Sequence, residues 1–326
     1  MAKSAVACIG NGFVGGSLTT VLSEKGFDVF VYDKSGKMAP GGKEAWCNRG
    51  SSLPNTLKLS GDLRKKASSV AELVEACEKD PVFSGIFFVC LPTPMRIEDG
   101  SCDTSIVEGV LAELASVPGK RIAVVKSTVP PGSTEAWNRQ FEGTGLRIVF
   151  SPEFLTEANA LDDTRNQTRI ILGGPRPHIN AVKQVFQAAF PKVPIVKTSS
   201  TTAEMVKYTS NVFLATKVTL ANELSQICEA LDAKGMNIDY DKVIEYSTLD
   251  PRLGKSHWSV PGPDGHRGFG LSCLPKDINS LMHIAKSLGI DPKVMSGGWQ
   301  KNLEIRPEKD WELLVGRAVT NKKTKI

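Results

Sequence analysis

The 326-residue chain is poor in histidine and has no clustered cysteine. Its four histidines are scattered. Its seven cysteines (Cys8, Cys47, Cys77, Cys90, Cys102, Cys228, Cys273) are odd in number and form no CxxC pair. These absences speak against a zinc site and against a disulfide framework, and they fit a reducing, cytoplasmic compartment. There is no apolar run of membrane-spanning length and no signal peptide: "MAKSAVACIG" leads straight into a strand-like segment. The net charge of +5 is spread along the chain, and the one basic cluster is the tail "NKKTKI". That tail reads as a frayed end, not a nucleic-acid arm, because no basic patch interleaved with aromatics accompanies it. Neither a nucleic-acid nor a membrane partner is expected, and there is no internal repeat or low-complexity tract.

What remains is an ordinary globular composition, 41% hydrophobic and 23% charged, over a length that suggests about two domains. The first distinctive stretch is "SAVACIGNGFVGGSLTTVLSEKGFDVFVYDKS". An apolar strand-type run, Ala5 to Ile9, precedes Gly10, Gly12 and Gly15 in G-x-G-x-x-G spacing. A helix-like segment follows, then a second strand ending at Asp33. Gly10 permits a tight turn, Gly12 lets backbone approach a pyrophosphate, and Gly15 lets helix and strand pack closely. The helix N-terminus offers N–H groups and its positive dipole end to phosphate. Asp33, 18 residues after Gly15, is placed to accept from ribose hydroxyls and to repel a 2′-phosphate, which favours NAD. Lys34 and Lys37 follow it and leave NADP open.

The alternation continues through "SGIFFVCLPTP", "KRIAVVKSTVPPGST", "LRIVFSPEFLTEANA", "TRIILGG" and "VPIVKTSS", with helix-like stretches between them. This predicts an α/β fold with a mostly parallel sheet covered on both faces and ligands at the carboxyl ends of the strands. Thr93, Thr128, Glu153 and Glu157 lie in loops at such ends.

From Ala203 to Leu231 there is neither proline nor glycine. This spacing predicts a helix about 40–45 Å long, apolar nearly all round and so buried on several sides, for example between subunits. Lys207 and Asn211 share one face of it; Lys207 either snorkels to solvent or points into a cleft. Another helix is expected from Asp277 to about Leu288. Between the two lies "GPDGHRGFGLSCLPKD" with Cys273, which on its own is either a small buried hydrophobe or a nucleophile.

Taken together, "IGNGFVGGSL", "CLPTP", "STVPPGST", "SPEFLTEANA", "EMVKYTSNVFLATKVTLANELSQICEALD" and "GFGLSCLPKD" resemble the UDP-glucose/GDP-mannose dehydrogenase family over residues 1 to about 300. The resemblance implies a Rossmann-like doubly wound parallel sheet followed by a helical domain built on one long central helix. It implies an NAD-binding domain at 1–199, a central dimerisation domain at 200–300, and a short remnant of a third domain at 301–326, reaching about that domain's first strand at "GRAVTN". Such enzymes oxidise the primary alcohol of a nucleotide sugar to a carboxylate with two NAD, through a cysteine-bound thiohemiacetal and thioester.

By the same resemblance Cys273 is the nucleophile. Asp277 and Lys207 hold the hydrolytic water and an oxyanion, and Glu153 is the general base. Thr128 lies near the reacting carbon. Asn211, Phe154, Leu155, Gly270 and Arg252 contact the sugar nucleotide, Arg252 in some members across a subunit boundary. Thr93, Glu157 and Lys276 join Gly10, Gly12, Gly15 and Asp33 around the cofactor. No metal is expected. Three departures stand out: Leu271 where the family has a second glycine, Ala158 where it has glycine, and a short C-terminal part. The last leaves open a short or truncated member, a nucleotide held by another chain, or a different substrate. Two other functions stay in view: a β-hydroxyacid-type dehydrogenase with one hydride transfer, and an NAD-binding protein without catalysis.

Overall fold

In the computed structural model the described residues are 4–34 and 64–321. Lys37, Cys47 and the basic tail beyond residue 321 lie outside them. The elements run β1 (Ala5–Ile9), α1 (Phe13–Glu24), β2 (Asp28–Tyr32), β3 (Arg64–Ala67), α2 (Val70–Glu78), β4 (Phe83–Val89), α3 (Ser105–Ser116), β5 (Arg121–Val125), α4 (Ser133–Gln140) and β6 (Leu146–Phe150). They continue with α5 (Ala160–Arg165), β7 (Ile170–Gly173), α6 (Arg176–Ala189), β8 (Ile195–Thr198), α7 (Ser200–Asp232), α8 (Tyr240–Ser247), α9 (Cys273–Ser287) and α10 (Lys293–Ile305).

All eight strands form one sheet in the order β3-β2-β1-β4-β5-β6-β7-β8. Every pairing is parallel except the antiparallel β6–β7 contact. The period-2 alternation of a strand sends successive side chains to opposite faces, and β1 shows the result. Ala5, Ala7 and Ile9 join a core with Leu73, Leu111 and Trp137 of α2, α3 and α4, whereas Val6 and Cys8 join a core with Leu18 and Phe186 of α1 and α6. The sheet is therefore covered by helices on both faces, a Rossmann-like doubly wound arrangement.

The chain divides into two compact units. One comprises the described residues up to Pro92 together with Thr104–Lys207. The other comprises Thr93–Asp103 with the described residues from Tyr208 onward. In the second unit Tyr208 and Ala215 of α7 pack with Phe269, Ile278 and Leu281. Described residues beyond 303 are built into this unit: Trp311, Ala318 and Val319 form a buried cluster with Met95.

Three expectations change. The helix expected from Asp277 begins at Cys273 itself. The strand expected at "GRAVTN" is reduced to isolated bridges of Val319 with Met95 and Val315. The helix α7 starts three residues earlier than its apolar pattern suggested. Along it Phe213 (66% exposed), Leu220 (47%) and Ile227 (53%) are uncovered in the single chain.

Candidate active site

The glycine turn sits between β1 and α1, where the sheet's carboxyl ends meet a helix N-terminus. Gly10 has φ +91°, and a Cβ there would lie 2.3 Å from the Cys90 carbonyl oxygen. A Cβ on Gly15 would lie 1.9 Å from the Gly10 carbonyl oxygen. Both positions therefore exclude any side chain. Gly12 differs, since a Cβ there meets nothing within 4 Å. The space beside Gly12 is open at the start of α1, whose first turn carries no side-chain cap. An uncapped N-terminus beside an open glycine is the arrangement a dinucleotide pyrophosphate fits. Asp33, at the end of β2, accepts the Asn11 N–H at 2.6 Å and so braces the same turn.

In the first unit a second group lies past β5 and β6. Thr128 is buried just beyond β5. The loop after it is held by Glu204 of α7, which accepts the Gly132 N–H at 2.6 Å and the Thr134 N–H at 2.9 Å. Past β6, Glu153 is 7% exposed and Lys207 is 3% exposed. Lys207 Nζ donates to Glu153 Oε1 and to its backbone carbonyl, both at 2.8 Å. Leu155 N–H donates to Glu153 Oε2 at 2.6 Å. Burial pushes the Glu153 carboxyl up, but Lys207 and the Leu155 N–H outweigh it, so the group ends below its ordinary range. Phe154 carries the Arg169 guanidinium over its ring, 4.0 Å from the centroid. Glu153, Phe154 and Leu155 line a cavity of about 310 Å³, together with Lys126 and Arg169. Glu157 is buried at the start of the 3₁₀ turn Glu157–Asn159.

In the second unit Cys273 is the first residue of α9 and is half-buried. Lys276, one turn on, pairs with Asp277. Asp277 also accepts from the Asn211 side chain of α7, and both are buried. Burial opposes the charge on Lys276, yet Asp277 and then Cys273 more than compensate, and its pKa is raised. The lysine charge and the helix dipole both act on the Cys273 thiol in the direction that favours its anion. Thr93 is buried, and its carbonyl accepts from the Cys102 thiol, which burial pushes up to about 11. Gly270 has no room for a side chain, because a Cβ would lie 2.3 Å from Asp310 Oδ1. Leu271 adopts φ +61°. Arg252 is exposed and pairs with Asp250.

Five of the residues expected around the site thus form the pair Glu153–Lys207 in the first unit and the trio Asn211–Asp277–Lys276 in the second. Arg252 stands at the surface of the single chain, paired with Asp250. Lys126 was not singled out in the sequence, although it stands in "VVKSTV". It is 8% exposed and donates to the Ser151 carbonyl at 3.0 Å, and burial lowers its pKa. Arg306 and Asp310 were also missed; their spacing of four was the available signal. Among the described residues no cluster of histidine, cysteine and carboxylates could hold a metal ion, and no helix is long and apolar enough to cross a membrane.

Residues 4–190 match the NAD-binding domain of the UDP-glucose/GDP-mannose dehydrogenase family, and residues 201–303 match its central domain. The UDP-glucose 6-dehydrogenase AglM of Haloferax volcanii is 29% identical over 332 residues, covering 95% of this chain and 71% of AglM. TuaD of Bacillus subtilis, a UDP-glucose 6-dehydrogenase, is 32% identical over 229 residues, covering 68% of this chain and 47% of TuaD. Several curated relatives are thus aligned over only about half of their length. The solved structure of a UDP-glucose dehydrogenase from the archaeon Pyrobaculum islandicum superimposes with a TM-score of 0.75 at 27% identity, covering 96% of this chain and 70% of that one. NAD is the cofactor of the first domain. The protein is a member of the UDP-glucose/GDP-mannose dehydrogenase family.

Proposed function

We propose that this chain carries the catalytic core of an NAD-dependent nucleotide-sugar 6-dehydrogenase, with UDP-glucose as substrate and the uronic acid as product. The observation that carries the reading is Cys273 at the first turn of α9, followed by the Lys276–Asp277 pair that Asn211 holds. NAD supplies the hydride acceptor for each of two oxidations. The first oxidation leaves an aldehyde at the sugar's C6. The Cys273 thiolate adds to that carbon, and the thiohemiacetal loses a second hydride to become a thioester. Covalent capture retains the aldehyde between the two oxidations. Water then cleaves the thioester and restores the thiol.

In this scheme Lys207 stabilises the oxyanion. Glu153, held ionised by Lys207, takes a proton from the attacking water. Asp277 orients that water, Asn211 accepts or donates at a sugar hydroxyl, and Thr128 lies near the reacting carbon. Phe154, Leu155, Gly270 and Arg252 contact the sugar nucleotide, while Gly10, Gly12, Gly15, Asp33, Thr93, Glu157 and Lys276 surround the cofactor. The exposed apolar stripe of α7 supports a homodimer through that helix, working in the reducing cytoplasm.

The test is stoichiometric. Purified protein with NAD and UDP-glucose is expected to form two NADH per uronic acid, and Cys273→Ser is expected to abolish acid formation. One NADH per product would instead mark a β-hydroxyacid-type single oxidation. Calorimetric binding of NAD with none of UDP-glucose would mark a non-catalytic binding protein.

A further inference from the structure

We propose that Asp310, supported by Arg306 and Asn302, is a positioning residue for Cys273. This inference rests on the reading of Cys273 as nucleophile and adds residues that lie at and beyond the end of the matched central domain.

The segment entering Cys273 is bracketed by side chains from the end of α10 and the turn after it. Asn302 is completely buried, and its amide makes both bonds a neighbouring strand would make to Phe269. The Phe269 N–H donates to Asn302 Oδ1 at 2.7 Å, and Asn302 Nδ2 donates to the Phe269 carbonyl at 2.9 Å. Four residues on, Arg306 is 2% exposed. Its Nε lies 2.8 Å from Asp310 Oδ1, and its Nη2 lies 2.8 Å from Asp264 Oδ2. Asp310 uses its other oxygen to accept the Leu271 N–H at 2.9 Å. The same two side chains fill the space beside Gly270.

Leu271 is where this brace does its work. Its φ of +61° is one a leucine adopts against its own steric preference. Such a conformation persists only when its surroundings over-determine it. Here the surroundings are the Asp310 acceptor on its N–H and the filled space at Gly270. Two residues later α9 begins with Cys273. Releasing Leu271 lets the backbone relax toward negative φ and turns the first residue of α9 away from its present direction. A glycine at 271 would hold the same conformation without help. The brace and the leucine therefore belong together: the chain uses a non-glycine residue at this point and secures it from residues 302–310.

The test uses the full chain. Asp310→Ala is expected to lower kcat by about ten- to a hundred-fold, the range that a small displacement of a reacting group produces, with KM for NAD within about two-fold. It is also expected to shift the pH profile of Cys273 alkylation by iodoacetamide, followed by peptide mass mapping. Adding Leu271→Gly to Asp310→Ala is expected to restore most of both properties. Where the alanine variant does not fold, Asp310→Glu carries the same expectations, since it keeps the charge beside Arg306 and displaces the oxygen from Leu271. A folded Asp310 variant with an unchanged alkylation profile and kcat overturns the proposal, as does a loss that Leu271→Gly leaves unrepaired. The two readings fail separately. Full turnover by Cys273→Ser would sink the covalent mechanism, whereas the alkylation profile judges the brace without turnover.

Discussion

Lys207 Nζ and Glu153 Oε1 lie 2.8 Å apart, with side chains only 3% and 6% exposed. A buried pair of this kind penalises the loss of one partner far more than the loss of both. Lys207→Met is expected to destabilise the protein by about 3–5 kcal/mol, because it leaves a buried carboxylate without its cation. The double variant Glu153→Gln/Lys207→Met is expected to recover much of that loss in urea unfolding. The pH dependence has a definite sign. The folded pKa of Glu153 is lowered, so its contribution is present above the unfolded carboxyl value of about 4.3 and fades as pH falls through the folded value. A wild-type stability curve no steeper in acid than that of the double variant would contradict this.

Gly12 and Gly15 should separate binding from folding. Gly15→Ala places a Cβ 1.9 Å from a backbone oxygen and is expected to cost about 1–3 kcal/mol or more in stability. Gly12→Ala meets no atom and should leave the unfolding free energy within about 0.5 kcal/mol. The same variant is expected to weaken NAD by about ten-fold or more, because its methyl occupies the space a pyrophosphate requires. Calorimetric titration with NAD beside thermal melts reads both quantities.

Leu271 offers a backbone test that is independent of turnover. Leu271→Ile conserves volume but places a β-branched residue at φ +61°, where such residues are steric outliers, and is expected to lower stability. Leu271→Gly removes the whole side chain yet should be at least as stable as the isoleucine variant. The opposite ranking in denaturant melts would show that side-chain packing, not φ, governs this position.

For the proposed dimer, the stripe Phe213, Leu220 and Ile227 is the surface to alter. Phe213→Glu with Leu220→Lys is expected to turn a dimer into a monomer by sedimentation velocity, with the core untouched because these side chains are exposed in the single chain. A wild-type monomer at micromolar concentration would remove the proposal outright.

The β1–α1–β2 unit was legible in the sequence because everything that specifies it is local: an apolar run, three glycines at fixed spacing, and an acid at the next strand end. The start of α9 was not. The helix was expected from Asp277, beyond Pro275. In the structure Pro275 is the third residue of the helix, within the first turn, where its missing N–H costs nothing. Nor does the sequence pattern mark β3, which pairs with β2 at the edge of the sheet.

The candidate site shows the same division. Motifs supplied Glu153, Lys207, Asn211 and Asp277, but not who pairs with whom. In the structure Lys207 holds Glu153, and Asn211 holds Asp277. The contacts of Asn302 and Asp310 escaped notice for a plainer reason. They are made to backbone groups of Phe269 and Leu271, which carry no signature in residue type.

Asp33 has a consequence for anyone wishing to redirect this protein's cofactor. Its carboxylate accepts the Asn11 N–H inside the glycine turn. In the proposed complex it also meets the adenosine ribose. Replacing it with a neutral residue to admit a 2′-phosphate would loosen the turn that receives the pyrophosphate. A specificity switch at this position therefore needs a second substitution that supplies a new acceptor for Asn11, and screens that vary residue 33 alone are expected to return variants weak toward both dinucleotides.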